Sequence, residues 1–306
     1  MRIKTSLSNG FFTTLSLVRL VLVIYVITFV FGLFLGVAFN LSMSSFKFTP
    51  MLSGLFSDFD FTIFSEFMNA NGKSVTPFIN SMIVFSFFYL LLEILFAGGL
   101  IGKLFSPGKK IKMAKFFASG VRYFWRFTKL FFYKILSLLI IFAVVITVAS
   151  AISGSSAGNA VETDYVKVAV IATILFLVFF IIISAISDYA KIFIVGENIK
   201  SVWTSIKSAF RFIIRNFITG VGLYKVGLFI FIILTIFYLL LSDIIPVANM
   251  FSLFVLFIIQ QLFIFLRIFT KIYTLAAEFD FYASVKISES KKKDKIQNKK
   301  NTESGN

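Results

Sequence analysis

Four polar side chains in or beside long apolar segments are the residues most able to do chemistry: Glu93, Asp188, Gln260 and Gln261. Burying an unpaired charge in a membrane span is unfavourable by about 2.5 kcal/mol or more, so Glu93 and Asp188 are candidates for proton or cation transfer. The two neutral glutamines are candidates to line a polar pathway. A structural role is the alternative for each, with Glu93 paired or neutral near the interface and the glutamines in interhelical hydrogen bonds. Asp188 precedes Lys191 by three residues, a spacing that predicts an ion pair fixing the depth of the span.

Residue usage excludes several kinds of active site. Cysteine and histidine are both absent, so no disulfide, thiol nucleophile, imidazole base or Cys/His metal site can form. Neither a P-loop nor a Rossmann glycine pattern occurs. A Ser-Lys dyad stays possible but no motif marks one. Glu93, Asp188 and Glu278 share no spacing typical of a metal site. We therefore predict no catalytic residues, no cofactor and no metal, and a protein that is not an enzyme.

Composition indicates a membrane protein. Of the 306 residues, 58% are hydrophobic and only 14% are charged, too few to cover a soluble domain. Lysine and arginine number 30 against 14 acidic residues, giving a formal net charge of +16. Beside membrane spans this excess sets orientation and attracts anionic phospholipid. The bilayer is therefore the expected partner, and nucleic acid is not.

Long apolar runs predict an all-α polytopic fold with six transmembrane helices. The first run is too long for the apolar part of a signal peptide, so we predict a retained helix. It contains the GxxxG pair Gly32 and Gly36, a spacing that can let another helix approach. A polar loop is expected over residues 40–77, with a short surface helix as an alternative within residues 57–67, and a basic, disordered tail is expected over 289–306. The membrane domain is expected over residues 1–288, with spans at about 17–39, 78–101, 130–152, 166–187, 218–241 and 247–275.

Two basic segments, residues 111–129 and 199–217, lie between spans. On a helix, their lysines and arginines recur every three or four residues and form a stripe, with aromatic side chains on other faces. Such amphipathic helices lie in the membrane interface and reach towards anionic headgroups. The predicted headgroup ligands are Lys112, Lys115, Arg122, Arg126, Lys129, Lys200, Lys207, Arg211 and Arg215. Arg211 and Arg215 are also candidate partners for Asp188.

The two basic segments align, which predicts an internal repeat. Ser119-x-x-Arg122-Tyr123-x-x-Arg126 matches Ser208-x-x-Arg211-Phe212-x-x-Arg215 at identical spacing. A weaker copy begins at Ile3-Lys4 and reaches Arg19. We therefore predict three repeats, each an amphipathic segment followed by two spans. Because nearly all lysines and arginines fall on the amphipathic segments and the two termini, both termini are expected in the cytoplasm.

The order of short motifs resembles a family of bacterial six-span membrane proteins of unknown activity. The resemblance is carried by the Gly98-Gly99 pair closing span two, the run RYFWRF from Arg122 to Phe127, and the box from Asp188 to Lys191 closing span four. Lys191 stands where that family often has arginine. The resemblance implies a multi-pass protein of the bacterial cytoplasmic membrane, but it implies no reaction.

Three functions are compatible with these features. The first is a non-enzymatic scaffold or complex subunit that binds anionic lipid through its basic helices, with a membrane protein or a second copy as partner. The second is a transporter or channel for a small or lipid-like solute, since repeat-built bundles often place substrate sites at repeat interfaces. The third, a lipid-modifying enzyme, requires carboxylates that converge with a serine or lysine in one cavity.

Overall fold

The computed structural model describes residues 2–43, 60–106, 112–155, 162–246 and 249–303. These ranges contain eight helices and no strand, which confirms the all-α prediction. Backbone polar groups in a bilayer have no water to bond, so apolar runs of this length satisfy them as helices. The helices are α1 (Arg2–Ser16), α2 (Val18–Met43), α3 (Phe61–Leu104), α4 (Met113–Ser155), α5 (Glu162–Gly196), α6 (Val202–Arg215), α7 (Phe217–Ile244) and α8 (Met250–Glu303).

Six of these helices are long and apolar enough to cross a membrane: α2, α3, α4, α5, α7 and α8. Their most apolar windows have mean hydropathies between 2.2 and 3.1. Large apolar side chains on them are exposed, for example Phe132 at 64% and Ile171 at 66%. Exposed apolar surfaces of this kind, on helices of this length and hydropathy, are typical of helices that face lipid. The chain is therefore an integral, multi-pass membrane protein.

Helix α3 extends into the region predicted as a polar loop. Residues 44–59 of that loop lie outside the described part, but residues 61–77 are helical and include Pro77. Asp60 caps this helix, because its carboxylate accepts the backbone N–H groups of Thr62 at 2.7 Å and Ile63 at 3.4 Å. The same hydrogen bonds hold the pKa of Asp60 below its ordinary value. The cap is therefore lost only as pH falls through that lowered pKa.

The far end of the chain also differs from expectation. Helix α8 continues to Glu303, so the tail predicted to be disordered is helical over its described part. Lysine, glutamate and glutamine are good helix formers, and extending an existing helix needs no new nucleus. The basic segment predicted at 111–129 likewise joins span three in a single helix, α4. Residue 111 lies outside the described ranges.

The chain divides into two compact units. One comprises residues 22–93, which carry most of α2 and α3. Here Phe85 packs against Phe31 and Phe34, with ring centroids 6.2 and 6.0 Å apart, and Phe39 packs against Phe78 at 5.2 Å. The other unit comprises residues 1–21 and 94–306 and contains α1, the end of α3 and helices α4 to α8. All sites described below lie in this second unit.

Three segments that precede a span have the same burial pattern; we call α1, residues 113–129 and α6 the pre-span segments. Phe116 and Gly120 are buried in the second segment, Ser205 and Ala209 in the third, and Ser6 and Gly10 in the first. The alignment of the second and third segments is the one that the Ser/Arg/aromatic/Arg pattern predicts. In this register Leu17, Phe127 and Asn216 are equivalent. The helix is interrupted at Leu17 and Asn216, and it continues through Phe127.

Each pre-span segment packs on the second span of the preceding repeat. Gly120 of α4 lies against Gly98 of α3, and α6 packs on α5. The first pre-span segment, α1, packs on α8, where Gly10 contacts Ala277. Ring contacts accompany these crossings, since Phe212 lies 5.1 Å from Tyr189 and Phe11 lies 6.0 Å from Phe269. This arrangement positions the basic side chains beside the ends of α3, α5 and α8.

Candidate functional site: a basic pocket and a buried ionic cluster

A cavity of about 420 Å³ lies between the end of α3 and the start of α4. Four cationic side chains line it, Lys103, Lys112, Lys115 and Arg122, and no acidic residue of the described chain does. The rest of its wall is apolar or hydroxylic. We call this site the basic pocket; its remaining lining residues are Leu20, Gly102, Phe105, Ser106, Phe116, Ala118, Ser119, Tyr123 and Val195.

Small residues on α3 bring the two walls of the basic pocket together. A Cβ atom on Gly102 would collide with the side chain of Ser119, and one on Gly99 would lie 2.6 Å from the ring of Phe116. The Ser119 hydroxyl donates to the Gly98 carbonyl over 3.2 Å. The glycines at the end of span two therefore let α4 approach α3. This approach places Lys103 beside the cationic side chains of α4, Lys115 and Arg122.

Most predicted headgroup ligands are exposed, as a lipid contact requires. Of the nine, eight are exposed and only Arg126 is half-buried. The basic pocket brings together Lys112, Lys115 and Arg122, and it adds Lys103, which sequence reasoning missed. On α6, Lys207 lies over the ring of Trp203, 5.3 Å from its centroid.

Arg126 has a contact that its place in the stripe did not predict. Its guanidinium donates to the side-chain oxygen of Asn198 at 3.2 Å and to the carbonyl of Ile199 at 3.3 Å. Asn198 has a positive φ of 48°, a conformation that asparagine tolerates after a helix end. Arg126 thus holds the connection between α5 and α6.

We expect replacement of Arg126 by glutamine to loosen this connection. Loss of two hydrogen bonds from a half-buried cation removes about 1 kcal/mol. Amide hydrogen exchange over residues 197–201 should then be about fivefold faster. Arg122→Gln, one turn away and exposed, is the matched control and should leave exchange there unchanged. Equal exchange in both variants would show that the contact does not hold the connection.

A second group of charges surrounds the fully buried Glu278 and is called here the buried ionic cluster: Lys134, Asp188, Lys191 and Glu278, with Lys271 exposed at its edge. The predicted pair is present, with Lys191 Nζ 2.6 Å from Asp188 Oδ1. Asp188 also interacts electrostatically with Lys134 of α4 and Lys271 of α8. Arg211 and Arg215, the partners expected from sequence, are exposed. The cluster therefore links three helices, α4, α5 and α8.

The sequence did not indicate Glu278 as a metal ligand, and it indicated neither Glu278 nor Lys134 as a partner of Asp188. Glu278 has no exposed area, and neither carboxyl oxygen has a hydrogen-bond partner among the described residues. The hydroxyl of Tyr189 is buried beside it and is also without a hydrogen bond in the described part of the chain. Glu278 falls three residues beyond the predicted end of span six. The apolar residues on both sides of it were the signal that the buried part of the helix continues.

The remaining polar candidates do not gather with Asp188. Gln260 is exposed and Gln261 is half-buried, both on α8 well before Glu278. Glu93 is half-buried and belongs to the other compact unit. Among the residues that the structure describes, no three acidic side chains are grouped as metal ligands.

A larger cavity, about 760 Å³, lies where α1, the end of α3, α5 and α8 meet. The positive and negative charges in its wall are equal in number. Lys286 Nζ is 2.6 Å from Glu197 Oε1, and Asp280 accepts a hydrogen bond from Asn9 at 3.1 Å. Lys103 is its other charged side chain. With two cations and two acids in its wall, this cavity has no excess charge, and one of its cations, Lys103, also lines the basic pocket.

Comparison with models of protein families, with curated proteins and with solved structures gave no match. The family resemblance based on short motifs therefore stays a prediction, and the function has to be inferred from the residues themselves.

Proposed function

We propose that this protein is a non-enzymatic scaffold or complex subunit of the bacterial cytoplasmic membrane that binds anionic phospholipid along its pre-span segments. The observation that carries this proposal is the exposure of eight of the nine cations predicted to reach headgroups. The opposite face of each segment is buried against a span, so these cations cannot turn inwards. Its partner in a complex would be another membrane protein or a second copy of the chain.

Electrostatics and the aromatic residues support the same role. A lysine or arginine near an anionic membrane surface contributes about 1 kcal/mol of attraction. Trp125 and Trp203 accompany the cations and are 72% and 54% exposed. Tryptophan favours the boundary between headgroups and acyl chains, so both rings would hold their segments at that depth.

The test is lipid enrichment around the reconstituted protein. Nanodiscs containing equal phosphatidylglycerol and phosphatidylcholine should retain phosphatidylglycerol preferentially around the wild-type chain after partial delipidation. Replacing Lys115, Arg122, Lys129, Lys207, Arg211 and Arg215 by glutamine should abolish that preference. Lys73→Gln with Lys167→Gln is the control. Both lysines are exposed and lie at or before the start of an even-numbered span, which is on the outer side when the termini are cytoplasmic. An undiminished preference in the sixfold variant would overturn the proposal.

The proposed orientation has both termini in the cytoplasm, and it can be tested because the chain has no cysteine. Ser242 in the last turn of α7 and Ser288 in α8 are both exposed. A membrane-impermeant maleimide added to intact cells should label Ser242→Cys, and it should label Ser288→Cys only after permeabilisation. The reverse pattern would invert the proposed topology.

A second candidate function, transport of a small solute, is favoured by the buried ionic cluster. Glu278 and Asp188 place two carboxyl groups among lysines at the boundary between α5 and α8. Buried ionisable groups in spans are typical of ion and proton pathways. Proton or cation flux through proteoliposomes that is lost in Glu278→Gln would support this function over the scaffold. The same cluster holds the carboxylates and lysines that a lipid-modifying enzyme would need, although Glu278 is closed to any substrate.

A further inference from the structure

The basic pocket has four cationic side chains and an apolar wall, and no acidic side chain of the described chain lines it. Lys103 also donates a hydrogen bond to the Ser106 carbonyl over 3.3 Å. The four cations of the pocket can donate hydrogen bonds but cannot accept them. The hydroxyl groups of Ser119 and Tyr123 also line the pocket. A ligand that satisfies this wall must therefore be an acceptor with negative charge, and a phosphate group has both properties.

Size and position favour a phosphate that belongs to a lipid. A volume of about 420 Å³ is within the range of small-molecule pockets and far exceeds a phosphate ion. Leu20, Phe116 and Val195 form an apolar part of the wall, next to the end of span α3. A diacylglycerol phosphate would place its phosphate among the cations and its glycerol and first methylenes against these side chains.

Among the three pre-span segments, only the second has cations at both positions that line the basic pocket. In the register set by Gly10, Gly120 and Ala209, the positions of Lys115 and Arg122 are occupied by Thr5 and Phe12 in α1. In α6 they are Thr204 and Arg211. Lys115 and Arg122 therefore coincide only in the second pre-span segment, beside Lys103.

We propose that the basic pocket binds the phosphate of one anionic phospholipid, held by Lys103, Lys112, Lys115 and Arg122. This proposal rests on the anionic-lipid role given above and makes it specific. The lipid is a stoichiometric ligand of a built site between α3 and α4, in addition to lipids attracted by the pre-span segments as a whole.

The experiment is native mass spectrometry of the full chain in detergent, titrated with phosphatidylglycerol. We expect one lipid to bind more tightly than the rest. Lys115→Gln with Arg122→Gln should weaken that binding about tenfold or more, because two charge-assisted contacts are lost. The matched control is Lys207→Gln with Arg211→Gln, which removes equal charge from α6 and contains the position equivalent to Arg122. It should leave the tight site unchanged.

Each other outcome has a distinct meaning. Equal weakening in both double variants would overturn the pocket while retaining the diffuse lipid role. No weakening in either would overturn both proposals. Phosphatidylcholine bound as tightly as phosphatidylglycerol would refute the requirement for net negative charge. Displacement of the tight lipid by equimolar glycerol phosphate would assign the site to a free phosphate ester, against the role of the apolar wall.

Discussion

Replacing Gly120 by valine is expected to lower the stability of the protein by about 3 kcal/mol. A Cβ atom at this position would lie 2.5 Å from the carbonyl oxygen of Leu95 and 3.0 Å from its Cγ. Backbone atoms cannot rotate away, so α3 and α4 would have to separate. Thermal unfolding followed by the fluorescence of Trp125 and Trp203 should show a midpoint roughly 6–12 °C lower.

The matched control for this substitution is Gly36→Val in α2. Gly36 is exposed, and no described atom lies within 4 Å of the place where its Cβ would be. The change in helix propensity is the same at both positions. Any difference in melting temperature therefore reports the contact between α3 and α4. If both variants melt at the same temperature, Gly120 is not a packing position.

Gly10 makes an equivalent close contact between α1 and α8. Its Cβ would lie 2.8 Å from the backbone nitrogen of Ala277, so Gly10→Val should detach α1 from α8. Loss of this crossing should expose the buried Ser6 face of α1 to proteolysis while α3 and α4 stay packed. Limited proteolysis with mass analysis would detect cleavage within residues 2–16. Unchanged resistance would mean that α1 is held by other contacts.

These glycines show how far the sequence could predict the fold. The six spans were predictable because each is encoded by local hydrophobicity over about 20 residues. The repeat was predictable from the shared spacing of Ser119, Arg122 and Arg126. The packing of each pre-span segment on the preceding repeat was not, since it depends on residues far apart in the chain. The GxxxG pair Gly32 and Gly36 has the expected spacing for close packing, yet no described atom lies close to either.

The candidate sites were predictable in part for the same reason. Three of the four cations of the basic pocket lie on one helical stripe, so their periodicity indicated them. Lys103 belongs to another helix, and only the approach allowed by Gly102 brings it to the same cavity. Glu278 was missed because the predicted span ended at residue 275, whereas the buried part of α8 continues through Val285. Long-range packing, which no local pattern encodes, accounts for the omission of Lys103, whereas the apolar residues on both sides of Glu278 were a local signal that the predicted end of the span left out.

Two substitutions in the buried ionic cluster should change stability in opposite directions. Asp188→Asn is expected to lower it by about 3 kcal/mol, because the change removes one partner of a mostly buried ion pair. Lys191 lies 2.6 Å from Asp188, and both side chains are mostly buried, at 26% and 21% exposure. Lys134 and Lys271 would lose the same attraction.

Glu278→Met is expected instead to raise stability by about 2 kcal/mol. Methionine has similar volume and fills the same space, and it removes two buried oxygen atoms that have no hydrogen-bond partner among the described residues. Lys191 keeps its contact with Asp188, so no buried cation is left alone by the change. Thermal unfolding of both variants, measured in the same detergent, shows whether each substitution raises or lowers stability. If Glu278→Met is destabilised like Asp188→Asn, the carboxyl group of Glu278 is a satisfied member of the cluster and contributes to holding α8 against α5. A stabilised Glu278→Met that loses solute flux would instead identify a residue retained for transport at the expense of stability.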